Sequence, residues 1–209
     1  LQDIDEIAMA RSVTKWARTV RDVERLGEYV NLACLKALSG RPGPVLLSIP
    51  SDLLGMAVEH ALEDEPPPTP VVKHEPAPGQ VARAAELIAA AERPLIIVGS
   101  GATRSGAGPA LRRLAQQLRI PVFGNALGRG LVPEDMVVGF PWPLAQVAAK
   151  EADVVVVAGV RMNQKISYGR WPRFSKTAKF IQINVDAEDM GRNRHVEVPI
   201  VSDAARALD

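Results

Sequence analysis

Four short groups of residues carry types that could hold an anionic ligand: "GSGA" at Gly99 to Ala102, "GNALGRG" at Gly124 to Gly130, "GVRMN" at Gly159 to Asn163, and "INVD" at Ile183 to Asp186. Each follows an apolar run. In the first, Gly99, Ser100 and Gly101 allow positive φ and close approach of backbone N–H groups to a phosphate. In the second, Asn125, Ala126 and Leu127 form a small loop. In the third, Arg161 could fork onto a phosphate or a carboxylate. The fourth, Ile183 to Asp186, stands where a dinucleotide fold often keeps an acidic side chain for ribose hydroxyls.

Other readings of these residues stay open. Gly99 and Gly101 serve equally well in a tight turn with no ligand. Arg161 could equally cap a helix or pair with a surface carboxylate. The GxGxxG pattern fails, because Arg104 occupies the place of the third glycine. His60, His74 and His195 are separated and lack metal-ligand spacing, so no metal site is expected. No Ser/His/Asp or Cys/His arrangement emerges, and no catalytic residue is assigned. Cys34, with Val30, Leu35 and Leu38, reads as a buried small hydrophobe on a helix face. Trp16, Trp142 and Trp171 read as packing residues, and "RRLAQQLR" as a solvated helix face.

The elements that must position these groups follow from periodicity. "DVERLGEYVNLACLKAL", Asp22 to Leu38, has helical spacing behind an N-cap at Asp22, and "VLLSIP" reads as a strand ended by Pro50. The prolines from Pro66 to Pro78 exclude regular packing and predict an extended interdomain linker. Beyond it, helices and strands alternate: "QVARAAELIAAAE", "PLIIVG", "PALRRLAQQL", "IPVFGN", a helix over about 144–151, "DVVVVAG" and "KFIQINV". Continuous apolar strands separated by helices predict a parallel, doubly wound α/β sheet covered on both faces. Its ligands would gather at the carboxyl ends of the strands, where all four groups lie.

Composition excludes several classes. The net charge of +1, with 47% hydrophobic and 23% charged residues, is that of a globular protein with no electrostatic case for nucleic acid or a membrane surface. A single cysteine and the lack of a long apolar run point to a cytoplasmic setting. The chain opens in mid-pattern at Leu1, so a piece of a longer protein is expected.

The stretch "TKWARTVRDVERL…ALSGRPGPVLLSIPSDLL", Thr14 to Leu54, resembles the end of the pyrimidine-binding domain of thiamine diphosphate enzymes. The remainder resembles the central domain of that family through "RPLIIVGSGA", "GRGLVPEDMVVGF", "ADVVVVAGVRMN", "KFIQINVDAEDMGRN" and "VPIVSDA", in that order. The flavour is that of acetolactate synthase, 2-hydroxyacyl-CoA lyase, oxalyl-CoA decarboxylase and benzaldehyde lyase.

The resemblance implies residues 1–58 as the tail of the pyrimidine-binding domain, 59–79 as linker, and 80–209 as a Rossmann-like domain with a parallel six-stranded sheet. It implies a parent that uses thiamine diphosphate and magnesium to cleave or form a carbon–carbon bond of a 2-keto acid or acyl-CoA, as a homodimer or homotetramer. The family's activating glutamate and its GDG motif are absent here, so the chain alone is expected to be inactive. In some members the central domain holds FAD, or the ADP portion of CoA or of a regulatory nucleotide. The matching positions are Gly99, Ser100, Gly101, Asn125, Ala126, Leu127, Arg161, Asn184, Val185 and Asp203. Asn184 departs from the Asp or Glu common in nucleotide-holding members. A free-standing binder of ADP, CoA or FAD is the alternative function, and a dinucleotide-dependent oxidoreductase a third.

Overall fold

The computed structural model describes residues 4–59, 69–141 and 144–209. The chain forms two compact units, Leu1–Val72 and Lys73–Asp209. His60 and Trp142 lie outside the described residues.

The first unit holds α1 (Glu6–Ala10), β1 (Trp16–Thr19), α2 (Leu26–Leu38) and β2 (Val45–Ser48). β1 and β2 pair in parallel, Trp16 opposite Val45 through Thr19 opposite Ser48. Asp22 does cap, accepting from Glu24 N at 3.1 Å, but it caps a 3₁₀ turn over Val23–Arg25, and α2 begins only at Leu26. Val20 and Ala33 are the buried apolar side chains among this unit's described residues. Cys34 is exposed, a correction to its expected burial: α2 turns Ala33 inward, and Val30 and Leu38 are exposed with Cys34.

The second unit runs α3 (Pro78–Ala89), β3 (Pro94–Val98), α4 (Ser100–Ser105), α5 (Gly108–Leu118), β4 (Val122–Gly124), β5 (Gly139–Phe140), α6 (Leu144–Glu151), β6 (Val154–Ala158), β7 (Lys179–Asn184), β8 (Val198–Val201) and α7 (Ala204–Leu208). Six parallel strands stand in the order β5-β4-β3-β6-β7-β8. The order reverses between β3 and β6, which register Pro94 on Val154 through Val98 on Ala158. This is the switch point at which doubly wound sheets take ligands.

Alternate strand residues feed two cores, because successive side chains point to opposite faces. Ile96, Val98, Val154, Val156, Ile181 and Ile183 pack with Leu111 and Ala115 of α5 and Leu208 of α7. Leu95, Ile97, Val155, Val157 and Phe180 pack with Ala145 and Ala149 of α6 and with Phe174. A strand buried on both faces reads as an unbroken apolar run, the pattern of "DVVVVAG".

Part of the proline-rich segment is tied to this unit. His74 O accepts from Asp203 N at 3.0 Å and Ser202 Oγ at 2.8 Å, and Lys73 Nζ donates to Ser105 O at 2.7 Å. Trp171 is another correction: it is 53% exposed rather than packed, with Lys150 and Lys176 ammoniums 5.9 and 5.8 Å from its ring. Among the described residues no helix is long and apolar enough to cross a membrane.

Candidate functional site

The carboxyl edge of the six-stranded sheet is built by backbone meeting backbone. Gly99 N donates to Ala158 O at 3.1 Å, Gly101 N to Gly159 O at 3.0 Å, and Gly159 N to Ile183 O at 2.9 Å. A Cβ on Gly99 would lie 2.8 Å from Gly159 O, and one on Gly101 2.7 Å from Gly159 Cα. Gly159 itself has φ +63° and would meet Ala102 N at 2.2 Å. These glycines are required by the crossing of the turns after β3 and β6, whether or not a ligand binds. Ser100 opens α4, which ends at Gly106 with φ 78°. Sequence reasoning read this stretch as loop, because Gly and Ser are poor helix formers and tertiary contact decides here.

The turn after β4 is clamped in the same way. Asn125 N donates to Val98 O at 2.7 Å, Thr103 Oγ1 donates to Leu127 O at 2.7 Å, and a Cβ on Gly128 would sit 2.4 Å from Val98 O. Ala126 adopts φ 50°, uncommon without a glycine. Leu127 is 61% exposed. Asn125 and Ala126 line a cleft of about 260 Å³ with Phe123, Arg129, Glu134 and Lys165. Arg129 and Glu134 approach to 3.6 Å. Lys165 arrives from the turn after β6, where Asn163 Oδ1 accepts from Lys165 N at 3.0 Å.

The turns after β6 and β7 meet through charge. Arg161 Nε stands 3.8 Å from Asp189 Oδ2, and Arg192 Nη1 donates to Asp189 Oδ1 at 3.3 Å. Asp189 is 5% exposed, whereas the Arg161 side chain is 46% exposed. Thus Arg161 does pair with a carboxylate, yet its side chain stays nearly half exposed. Asn184 Oδ1 accepts from Asp186 N at 3.2 Å, so the carbonyl suited to a ribose hydroxyl closes a local turn. Asp186 in turn caps a 3₁₀ turn over Ala187–Asp189, accepting from Glu188 N at 3.1 Å. Val185 follows β7 directly.

Asp203 lies past β8, buried, where its carboxylate accepts from Ala205 N at 3.1 Å as the N-cap of α7 and faces Lys73 Nζ at 3.9 Å. The fold therefore groups Asn125 with Ala126, interlocks Gly99 and Gly101 with the turn that carries Arg161, and gives Asn184 and Asp203 local capping work. Sequence reasoning missed Asp189, Arg192, Lys165 and Arg129. Asp189 and Arg192 at i, i+3 in "DAEDMGRN" were a visible pair, but Arg161 meets them only in the fold.

Among the described residues no three His, Cys, Asp or Glu side chains cluster as a metal site, and the sequence has no GDG. The donor set present does not fit the thiamine diphosphate–metal group. The Arg161 side chain, nearly half exposed after β6, carries a donor fork of the kind that phosphates and carboxylates accept from.

Comparison with known proteins decides the family. Residues 81–209 match the model described as "Thiamine pyrophosphate enzyme, central domain". The chain belongs to the thiamine pyrophosphate enzyme family. It is 33% identical to acetolactate synthase from Arthrospira platensis, over 99% of this chain and 38% of that protein. It is 34% identical to 2-hydroxyacyl-CoA lyase from Oryza sativa subsp. japonica, over 100% of this chain and 37% of that one. The chain thus spans little more than a third of the length of these relatives. Benzoylformate decarboxylase from Polynucleobacter necessarius shares the fold, with a TM-score of 0.78 at 23% identity, over 98% of this chain and 39% of that one.

Proposed function

We propose that this chain is the non-catalytic central part of a thiamine diphosphate-dependent lyase, carboligase or decarboxylase that acts on 2-keto acids or acyl-CoA substrates. The observation that carries the reading is the alignment: 99% of the chain finds a counterpart in acetolactate synthase and all of it in 2-hydroxyacyl-CoA lyase, while the chain accounts for little more than a third of either. The first unit supports it physically. A parallel pair of strands normally has both faces covered, yet this unit buries only Val20 and Ala33 among its described apolar side chains, and a hollow of about 720 Å³ runs beside Trp16, Arg18 and Tyr29. Such a unit suits a domain completed by further chain. The same reading takes magnesium as the parent's metal, the cytoplasm as its compartment, and a homodimer or homotetramer as its assembly.

The test is an assay of the parent protein and of this chain with thiamine diphosphate and magnesium, against 2-keto acids and 2-hydroxyacyl-CoA. Turnover by the parent alone is expected. Turnover by the parent in the absence of thiamine diphosphate would overturn the reading.

A second role rests on Arg161, which approaches Asp189 to 3.8 Å while its side chain stays 46% exposed. We read the carboxyl edge as a seat for the diphosphate of ADP, CoA or FAD. Isothermal titration of the chain with each nucleotide tests it, and no heat with any of them at millimolar concentration rejects it.

A further inference from the structure

The carboxylate of Asp189 is buried and only half used. The residue is 5% exposed, its Oδ1 accepts from Arg192 Nη1 at 3.3 Å, and its Oδ2 has no hydrogen-bond partner. The backbone around it is fixed by Gln182, a fully buried residue of β7. Gln182 Nε2 donates to Asp189 O at 3.0 Å, and its Oε1 accepts from Gly191 N at 3.0 Å. The orphaned Oδ2 faces Arg161 Nε at 3.8 Å, across the turns after two adjacent strands.

Burying a carboxylate is costly unless cations repay it, and here two guanidiniums share one carboxylate. The triad keeps one net positive charge. Its arginine side chains remain 46% and 65% exposed, within reach of an anion from solvent. Left without Asp189, two like charges would spread apart. With it, Arg192 is hydrogen-bonded to, and Arg161 stands 3.8 Å from, one buried carboxylate at the carboxyl edge of the sheet.

We propose that Asp189 is a positioning residue that sets Arg161 and Arg192 as a two-guanidinium seat for the diphosphate of a nucleotide. The proposal rests on the nucleotide reading above and names the group that organises that site. It makes a prediction whose sign separates positioning from simple attraction. Asp189→Asn removes a negative charge, so attraction alone would tighten diphosphate binding, whereas loss of positioning weakens it.

The experiment uses the full chain. Arginine side-chain ¹⁵N NMR first reads Arg161 without any ligand: its Nε–H exchanges slowly in the wild type, fast in Asp189→Asn, and slowly again in Asp189→Glu. Titration calorimetry with ADP and with inorganic diphosphate then reads affinity. Both should bind the wild type, weaken by about fivefold or more in Asp189→Asn, and weaken in Arg161→Gln and Arg192→Gln. Circular dichroism confirms that each variant is folded, and Asp189→Glu serves if Asp189→Asn is not. Equal or tighter binding by Asp189→Asn overturns the positioning role while leaving the nucleotide reading intact. An ordered Arg161 Nε–H with no heat from either probe removes the seat and the nucleotide reading together, leaving Asp189 a brace between turns.

Discussion

Gly101 and Gly159 touch through their backbones: Gly101 N donates to Gly159 O at 3.0 Å, and a Cβ on Gly101 would lie 2.7 Å from Gly159 Cα. Neither side can yield, since the obstacle is main chain on both. Gly101→Val and Gly159→Ala should each destabilise the second unit by about 1–3 kcal/mol, the cost of overpacking a filled site, with added backbone strain at Gly159, where φ is +63°. Urea unfolding followed by circular dichroism checks this. An unchanged midpoint for Gly101→Val would show that the two turns part easily. Loss of a ligand in Gly101→Val therefore reports on the fold as much as on a contact, so Arg161 is the better residue with which to probe nucleotide binding.

Arg194 ties the segment between β6 and β7 to the sheet. Its Nη1 donates to Gly169 O at 3.0 Å, and its Nη2 reaches the carbonyls of Ser175, Lys176 and Ala178 at 2.9 to 3.1 Å. The guanidinium also lies 4.8 Å from the Phe180 ring centroid, and burial lowers its pKa from the ordinary arginine value. Arg194→Met keeps the apolar stem but leaves partly buried carbonyls without a donor. A loss of roughly 2–4 kcal/mol follows in equilibrium unfolding. A loss below about 0.5 kcal/mol, the size of an ordinary surface change, would mean that water replaces the arginine at no cost.

Acid should act through Asp153. Burial pushes its carboxyl upward, but hydrogen bonds from backbone amides outweigh this and hold it below the ordinary value; Glu92 N donates at 2.8 Å and Arg93 N at 3.0 Å. A carboxyl depressed in the folded state adds stability above its unfolded pKa, about 3.9, and loses it as pH falls through the lower folded value. The melting temperature should thus fall on acidification below roughly pH 4, and Asp153→Asn should flatten that limb while lowering stability near neutrality. Parallel acid limbs for wild type and variant would remove Asp153 from the account.

What the sequence disclosed depended on how completely each segment is buried. β3, β6 and β7 read directly, because strands covered on both faces are continuous apolar runs. β5 is two residues long, β8 alternates buried and exposed residues and includes Pro199, and β1 is largely half-buried, so none announced itself by pattern. The six strands were expected from the family resemblance alone. At the site, the glycines and Arg161 were visible as types at strand ends. Their partners were not, because the Arg161–Asp189 approach joins residues held together only by the pairing of β6 with β7.

α6 inverts the usual amphipathic rule, and this gives a sharp test. Its core-facing residues are small, with Ala145 at 1% and Ala149 at 0% exposure, while Leu144 and Val147 are 60% and 62% exposed. A pattern that looks for large apolar residues inside would turn this helix the wrong way round. Space, not hydrophobicity, sets the inner face: Ala149 packs in the core that holds Phe174 and Phe180, where extra methylenes have no room. Ala149→Leu should therefore cost about 1–3 kcal/mol although it adds apolar surface. Leu144→Gln and Val147→Gln, which remove apolar surface, should change the stability of this chain by no more than about 0.5 kcal/mol. Equilibrium unfolding of the three variants measures both sides. A large loss in either glutamine variant, with Ala149→Leu neutral, would reverse the assigned faces of the helix.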